Sequence, residues 1–522
     1  MDLKEKIGQR LMIGIEGKTI DAKTKKHLLE LQPGFIILFS RNISSPTQVR
    51  TLITHLHELL PSPPLIAIDQ EGGRVIRFTK GVTVFPGNMA LGAAGSPLLA
   101  YHQGLISAFQ LKKMGITINL APVVDVITSH YNPGITIRSF GDDPGKVSAL
   151  ATALIRGTQR MGVAAVAKHF PGKGAAEVDA HHDLPTIALS KKSFTKTHLY
   201  PFRKAIENGV RGIMSTHIHC PTLDSKGHHP ATFSKNIIHD CLRTSLAYHG
   251  VIFSDDLEMG AIGKYHRIED ACLRATEAGH DVLLICSNYQ WQKRAFRALR
   301  DAYTHSLLSH AALDASIEKI QNLQNFCSKQ VPSLRTKTLP NPDTLTRQIA
   351  QQSITIISDA HHLLPLTSDK TKDILLLFPD LSTLPTLEEG YKPTAHHFLI
   401  RECKRYFSGT LSFHFFSLNP DHKEIERISA LLNHHQLCIL CISNAQGHGG
   451  QKVLIKKLQK GNQDTIYVLL DNPFDREWLS PKDTCITTYG FRRIQLSSLI
   501  KVIFGKAHAS GNLPFRQVKW LR

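Results

Sequence analysis

The chain has 522 residues, of which 42% are hydrophobic and 20% charged, and it carries a formal charge of +19. That length exceeds what one hydrophobic core serves, so two or three domains of an ordinary soluble globular protein are expected. The basic excess raises nucleic acid as a partner, but lysines and arginines are spread along the chain with no basic arm, which argues against it.

The first residues, "MDLKEKIGQRLMIGIEG", are charged and then amphipathic, unlike a secretory signal, and no apolar run is long enough to cross a bilayer. Strand candidates then follow in order: "LMIGI", "GFIILFS", "LIAIDQ", "ITINLAP", "VAAVAKHF", "GIMSTHI", "VIFSDD" and "DVLLICS". They are continuous rather than alternating, as in parallel strands buried on both faces. Helical segments such as "PTQVRTLITHLHELL" and "PLLAYHQGLISAFQLKKMG" lie between them. About eight strand–helix units predict a (β/α)8 TIM-type barrel over residues 1–330, with an open doubly wound sheet as the alternative.

"SHAALDASIEKIQNLQNFCSKQ" closes this region as a helix, and a Pro- and Thr-rich link is expected at 331–345. Beyond it, "SITIIS", "DILLLF", "LSFHFFS", "CILCIS", "TIYVLLD" and "LIKVIFG" predict the strands of a second layered α/β domain over 346–522. Nine scattered cysteines suit a reducing compartment better than a disulfide framework. The one close pair, Cys438 and Cys441, sits in an apolar run and is expected to be packed core. The histidine doublets lack ligand spacing, so neither a metal nor a cofactor is expected.

The chemistry-bearing residues fall at strand ends. Asp69 follows one apolar run, Lys168 and His169 end another, His217 a third, and Asp255 and Asp256 a fourth. In a barrel these ends open onto one face, where active sites sit. Helix N-capping is the structural alternative for Asp69 and Asp256 taken singly. Glycoside cleavage needs one group at the anomeric carbon and another to protonate the leaving oxygen. Asp255 suits the first role. Asp179-Ala-His181 suits the second, because a histidine titrates near neutrality and a nearby carboxylate can hold one tautomer.

"KHFPGKGAAEVDAHHDLP" resembles the signature of the family-three glycoside hydrolases, in their β-N-acetylglucosaminidase branch. "IAIDQEGGRVIRF", "NLAPVVDV", "IRSFGDDP", "PATFS" and "GVIFSDDLEMG" match that branch as well. "VIFGKAHASGNLP" resembles the end of the family's α/β/α sandwich domain. The resemblance implies a barrel followed by that sandwich, Asp255 as nucleophile, and His181 as acid/base with Asp179 as its partner. It also implies that Asp69, Arg77, Arg138, Lys168 and His169 hold the sugar. Two positions depart from the family pattern: Lys173 stands where the family often has histidine, and Glu177 where a small polar residue is usual. Asp-x-His spacing favours His181 over its neighbour His182 as the acid.

The expected activity is retaining exo-hydrolysis of terminal β-linked GlcNAc from glycans or muropeptides of the GlcNAc-anhydro-MurNAc type. A cytoplasmic cell-wall recycling role follows from the family and the lack of a signal. A GlcNAc phosphorylase and a β-glucosidase of the same superfamily are the alternatives. Imidazole tolerates a phosphate acceptor where glutamate would repel it, whereas the Asp-x-His loop argues against the glucosidase.

Overall fold

The computed structural model describes residues 1–329, 339–367, 369, 371–384, 396–461 and 463–516. Eight strands, β1 (Leu11–Gly14), β2 (Phe35–Leu38), β3 (Leu65–Ile68), β4 (Ile118–Asn119), β5 (Ala164–Phe170), β6 (Gly212–Ser215), β7 (Val251–Asp256) and β8 (Val282–Ile285), follow one another around a closed barrel. β1 pairs in parallel with both β2 and β8, which excludes the open sheet. Their apolar residues are buried because the barrel lumen takes one face and a ring of helices the other. The helix Pro46–Leu59 illustrates the ring. Ser45 accepts from the Gln48 N–H at its start, proline occupies the first turn, and Val49, Leu52, Ile53 and Leu56 bury one stripe.

The second unit is a six-stranded sheet. Its strands are β9 (Thr355–Ser358), β10 (Asp373–Asp380), β11 (Thr410–Ser417), β12 (Leu437–Ile442), β13 (Asp464–Leu469) and β14 (Thr484–Thr487), in the order β11-β10-β12-β13-β14-β9. All pairings are parallel except β14 with β9. Helices 396–406 and 493–503 pack on one face, and helices 422–432 and 449–460 on the other. This is the α/β/α sandwich. Alternate residues of β10 and β12 serve the two cores, so Cys441 and Cys438 point to opposite faces as buried thiols. They cannot form one redox or metal pair.

One reading of this region needs correction. "LIKVIFG" is not a strand but the end of the helix Arg493–Ile503, whose buried Leu496, Leu499, Ile500 and Ile503 recur at helical spacing. A short apolar run does not reveal its period unless the flanking residues are counted. The strand that sheet needs is instead "TCIT" at β14, too short to stand out. The link expected at 331–345 lies largely outside the described residues, and the helix Pro342–Ser353 begins within it.

The sandwich braces the barrel. Phe474 is buried with Met89, Val123, Ile127 and Ile137 of the barrel and stacks on His130 at 4.4 Å between ring centroids. Glu477 accepts from His130 Nδ1 at 2.7 Å, and the Arg492 guanidinium donates to the Gly73 carbonyl at 2.6 and 2.9 Å. Truncating a buried phenylalanine costs about 3–5 kcal/mol in lost transfer energy and cavity. Phe474→Ala should therefore introduce an early step in chemical denaturation, as the two units separate before the barrel unfolds. An unaltered denaturation profile would rule out this role for the contact.

Candidate active site

One cavity of about 150 Å³ opens at the carboxyl ends of the barrel strands. Asp69, Arg77, Arg138, Lys168, His169, Lys173, His181, Asp255 and Asp256 line it, over a floor that includes Ile37, Leu120, Met214 and Leu284. Seven of the eight site residues expected from the sequence therefore meet in one small space. The eighth, Asp179, sits behind His181.

Neighbouring strand residues normally point to opposite faces. Lys168 and His169 both face the cavity because the β5–β6 register shifts between Lys168 and Phe170. The β7–β8 register shifts in the same way between Phe253 and Asp256, and Asp255 and Asp256 both reach the cavity. Such irregularities at a barrel rim re-aim side chains.

Lys168 is the hub of the site. Its ammonium lies 2.7 Å from Asp69 Oδ1 and 2.8 Å from Glu71 Oε1. Glu71 also receives the Arg138 guanidinium through both oxygens, at 2.8 and 3.0 Å, and Arg77 reaches Asp69 Oδ2 at 3.3 Å. Burial alone would raise the Asp69 carboxyl, but Lys168 and Arg77 outweigh it and hold it down at about 2. Glu71 is lowered in the same way by Arg138 and Lys168. Glu71 lies two residues after Asp69 in the same "IAIDQEGGRVIRF" segment, where the residue pattern alone gives it no role.

His169 Nδ1 lies 2.8 Å from Asp125 Oδ2, and its Nε2 is 3.4 Å from Arg138. Burial and the surrounding cations push the ring well below its ordinary value, so it is neutral at neutral pH. Burial raises Asp125 to about 6. A neutral ring that donates from Nδ1 to Asp125 and accepts at Nε2 satisfies both contacts. Asp125 also accepts the Lys173 backbone N–H at 2.7 Å, so it anchors the start of the loop that follows β5. His217 lies outside the cavity lining and donates from Nε2 to the Asp256 carbonyl at 2.9 Å, steadying the end of β7.

The loop after β5 is pinned at two places. An added Cβ at Gly174 would lie 1.7 Å from the Val126 carbonyl oxygen, so only glycine fits there. Further on, the Ala261 N–H donates to the Ala180 carbonyl at 3.0 Å, tying the loop to the segment that follows Asp255. Immediately after the second anchor, His181 Nδ1 lies 2.7 Å from Asp179 Oδ1, and His181 is 46% exposed at the cavity mouth. Burial would raise Asp179, but hydrogen bonds from the His181 ring and backbone hold it well below the usual carboxylate range. His182 is exposed and does not line the cavity. The two unusual loop residues diverge: Lys173 faces the cavity, whereas Glu177 faces a separate cleft of about 690 Å³ between barrel and sandwich.

Among the described residues, no cluster of three metal-ligating side chains occurs and no helix is long and apolar enough to cross a membrane.

A closed barrel with this strand-end cavity is the architecture of a TIM-barrel enzyme. The model of the glycosyl hydrolase family 3 N-terminal domain matches residues 2–323, and the chain belongs to that family. It is a hydrolase, and its relatives place it with the β-hexosaminidases of the family. A β-hexosaminidase of Nitrosomonas eutropha is 38% identical over 284 residues, which cover 53% of this chain and 80% of that one. Beta-hexosaminidase A of Pseudoalteromonas piscicida is 28% identical over 92% of this chain and 88% of its own length. The solved family 3 β-N-acetylglucosaminidase of Paenibacillus sp. str. FPU-7 superposes with a TM-score of 0.91 at 33% identity, covering 99% of both chains.

Two outcomes follow from these charges. Removing one partner of a buried ion network typically costs about 3–5 kcal/mol, because the other charges stay buried. Glu71→Gln should lose stability on that scale in chemical denaturation, and wild-type stability would contradict the network's structural role. Separately, burial and the Glu258 and Asp255 charges push Asp256 up to about 7 from its ordinary 3.8. Across that window the folded state holds the proton more tightly than the unfolded chain, so stability falls as pH rises. Asp256→Asn should remove this loss, so its stability relative to wild type should rise between about pH 4 and pH 7 and level off above. Parallel stability curves for the two proteins would refute the assignment.

Proposed function

We propose that the protein is a retaining exo-β-N-acetylglucosaminidase in which Asp255 attacks the anomeric carbon and His181 serves as general acid and base. The observation that carries this reading is that His181, paired with Asp179, lines the same small cavity as Asp255. With Nδ1–H donated to Asp179, Nε2 is the atom left to act. As imidazolium, His181 gives its Nε2 proton to the leaving oxygen while Asp255 forms a glycosyl ester. As imidazole, it then takes a proton from the water that hydrolyses the ester, so two inversions retain configuration.

Asp69, held ionised, accepts from sugar hydroxyls, Arg77, Arg138 and Lys168 donate to hydroxyl and acetamido oxygens, and His169 Nε2 can accept from a hydroxyl. The cavity is on the scale of a single sugar residue, which fits removal of one terminal unit. Peptidoglycan fragments with GlcNAc on anhydro-MurNAc are the proposed natural substrates, in cell-wall recycling. Nine unpaired thiols, eight of them buried, favour a reducing cytoplasmic setting.

Leaving-group dependence tests the reading. Asp255→Ala should abolish turnover in a folded protein. His181→Ala should slow cleavage of a natural disaccharide about a hundredfold to ten-thousandfold more than that of a dinitrophenyl glycoside, whose leaving group needs no proton. Equal slowing of both substrates would make the loop a binding element and remove the acid/base assignment.

A further inference from the structure

Another cavity, of about 520 Å³, lies at the opposite end of the barrel from the active site, beside the first residues of β6 and β7. Val251 in its wall opens the strand that carries Asp255 and Asp256 at its far end. Arg211, Lys319 and Lys329 line this cavity, and among the described residues no carboxylate does. Asp281 stands behind Lys319, 3.7 Å from its ammonium. Its carboxylate is already taken by the Arg243 guanidinium, the Ser316 hydroxyl and the Ile252 N–H.

Acceptors around the cavity are spent, whereas donors are not. The Tyr248 and Gly250 carbonyls accept from Arg243, the Gly209 carbonyl from Gln159, and the Arg211 carbonyl from the Val251 N–H. Among the described residues, the backbone N–H groups of His249 and Gly250 have no partner, nor have the side-chain amides of Asn322 and Asn325. The Lys329 ammonium makes no bond either. The Arg211 guanidinium lies over the Phe326 ring, 4.5 Å from its centroid, and makes no hydrogen bond or ion pair. Stacking of that kind leaves the in-plane N–H donors of arginine free.

A concave wall of one charge sign, backed by apolar side chains, focuses its potential on whatever enters. We propose that this cavity binds a phosphate group, held by Arg211, Lys319 and Lys329. Phosphate brings close to two negative charges and only acceptor oxygens, which matches a site of unspent donors, and arginine suits it in particular. The group has two chemical sources. One is inorganic phosphate. The other is a phosphorylated sugar, whose hydroxyls would find both donor and acceptor in the Asn322 and Asn325 amides. The inference is independent of the roles given to Asp255 and His181.

Calorimetric titration of the full-length protein tests it, with glucose 6-phosphate, inorganic phosphate and glucose at equal ionic strength. Wild type should bind one equivalent of phosphate-bearing ligand and no glucose. Tighter binding of glucose 6-phosphate identifies the sugar phosphate as the source, and equal binding identifies the free anion. Arg211→Gln should weaken binding about tenfold or more, the scale of a hydrogen bond to a charged group. Lys329→Gln, at an exposed helix end, should weaken it in the same direction and decides the matter if Arg211→Gln fails to fold. Lys25→Gln, an exposed charge outside the cavity, should leave binding unchanged, which separates the site from the general attraction of a +19 chain. Absence of binding by either phosphate overturns the proposal, as does glucose binding as tightly as its phosphate. Binding that survives both Arg211→Gln and Lys329→Gln, or that Lys25→Gln weakens equally, overturns it as well.

Discussion

Lys168 holds the barrel mouth together. Its ammonium joins Asp69 at the end of β3 to Glu71 in the following loop, and Glu71 in turn holds Arg138 from the segment beyond β4. Burying such charges is tolerable only when each finds its counterpart, so the residues stand or fall together. The same pairing holds the Asp69 carboxyl down at about 2, which leaves it a hydrogen-bond acceptor at neutral pH. On the proposed function, stability and sugar binding thus draw on one network.

Reactive groups reach that network through two strand irregularities. A regular β5 would send Lys168 and His169 to opposite sides of the wall, and a regular β7 would do the same with Asp255 and Asp256. The register shifts bring both members of each pair into the cavity, where they take different tasks. Lys168 enters the ion network and His169 leans on Asp125. Asp255 remains available, while Asp256 accepts backbone N–H groups from Glu258 and Cys286.

The proposed acid/base pair stands on a loop rather than on a strand, as its chemistry requires. A group that must serve a leaving sugar and then water needs to stand at the mouth, and His181 does so on a loop. That loop is restrained at Gly174 by Val126 and at Ala180 by Ala261, and His181 follows the second restraint directly. Among the described residues, the sandwich contributes none to the cavity lining. It presses instead on supporting loops, through Arg492 on Gly73 and Phe474 on His130.

Period and motif were legible in the chain itself. Eight continuous apolar runs, each followed by a helical stretch, already implied parallel strands buried on both faces, and the charged residues at their ends implied one functional rim. Asp69, Lys168, His169 and Asp255 could be named because each follows its run directly. "LIKVIFG" misled because a run of that length fits either period, and only its packing against the sheet decides between them. Glu71, Asp125 and Arg211 gained their significance only in three dimensions. Glu71 matters through Lys168 and Arg138, Asp125 through His169 and the Lys173 backbone, and Arg211 through a cavity lined, among the described residues, by no carboxylate. A sequence records which residues are ionisable and where a strand stops. Whether a buried charge is matched depends on distances between segments far apart in the chain, which only the closed barrel sets.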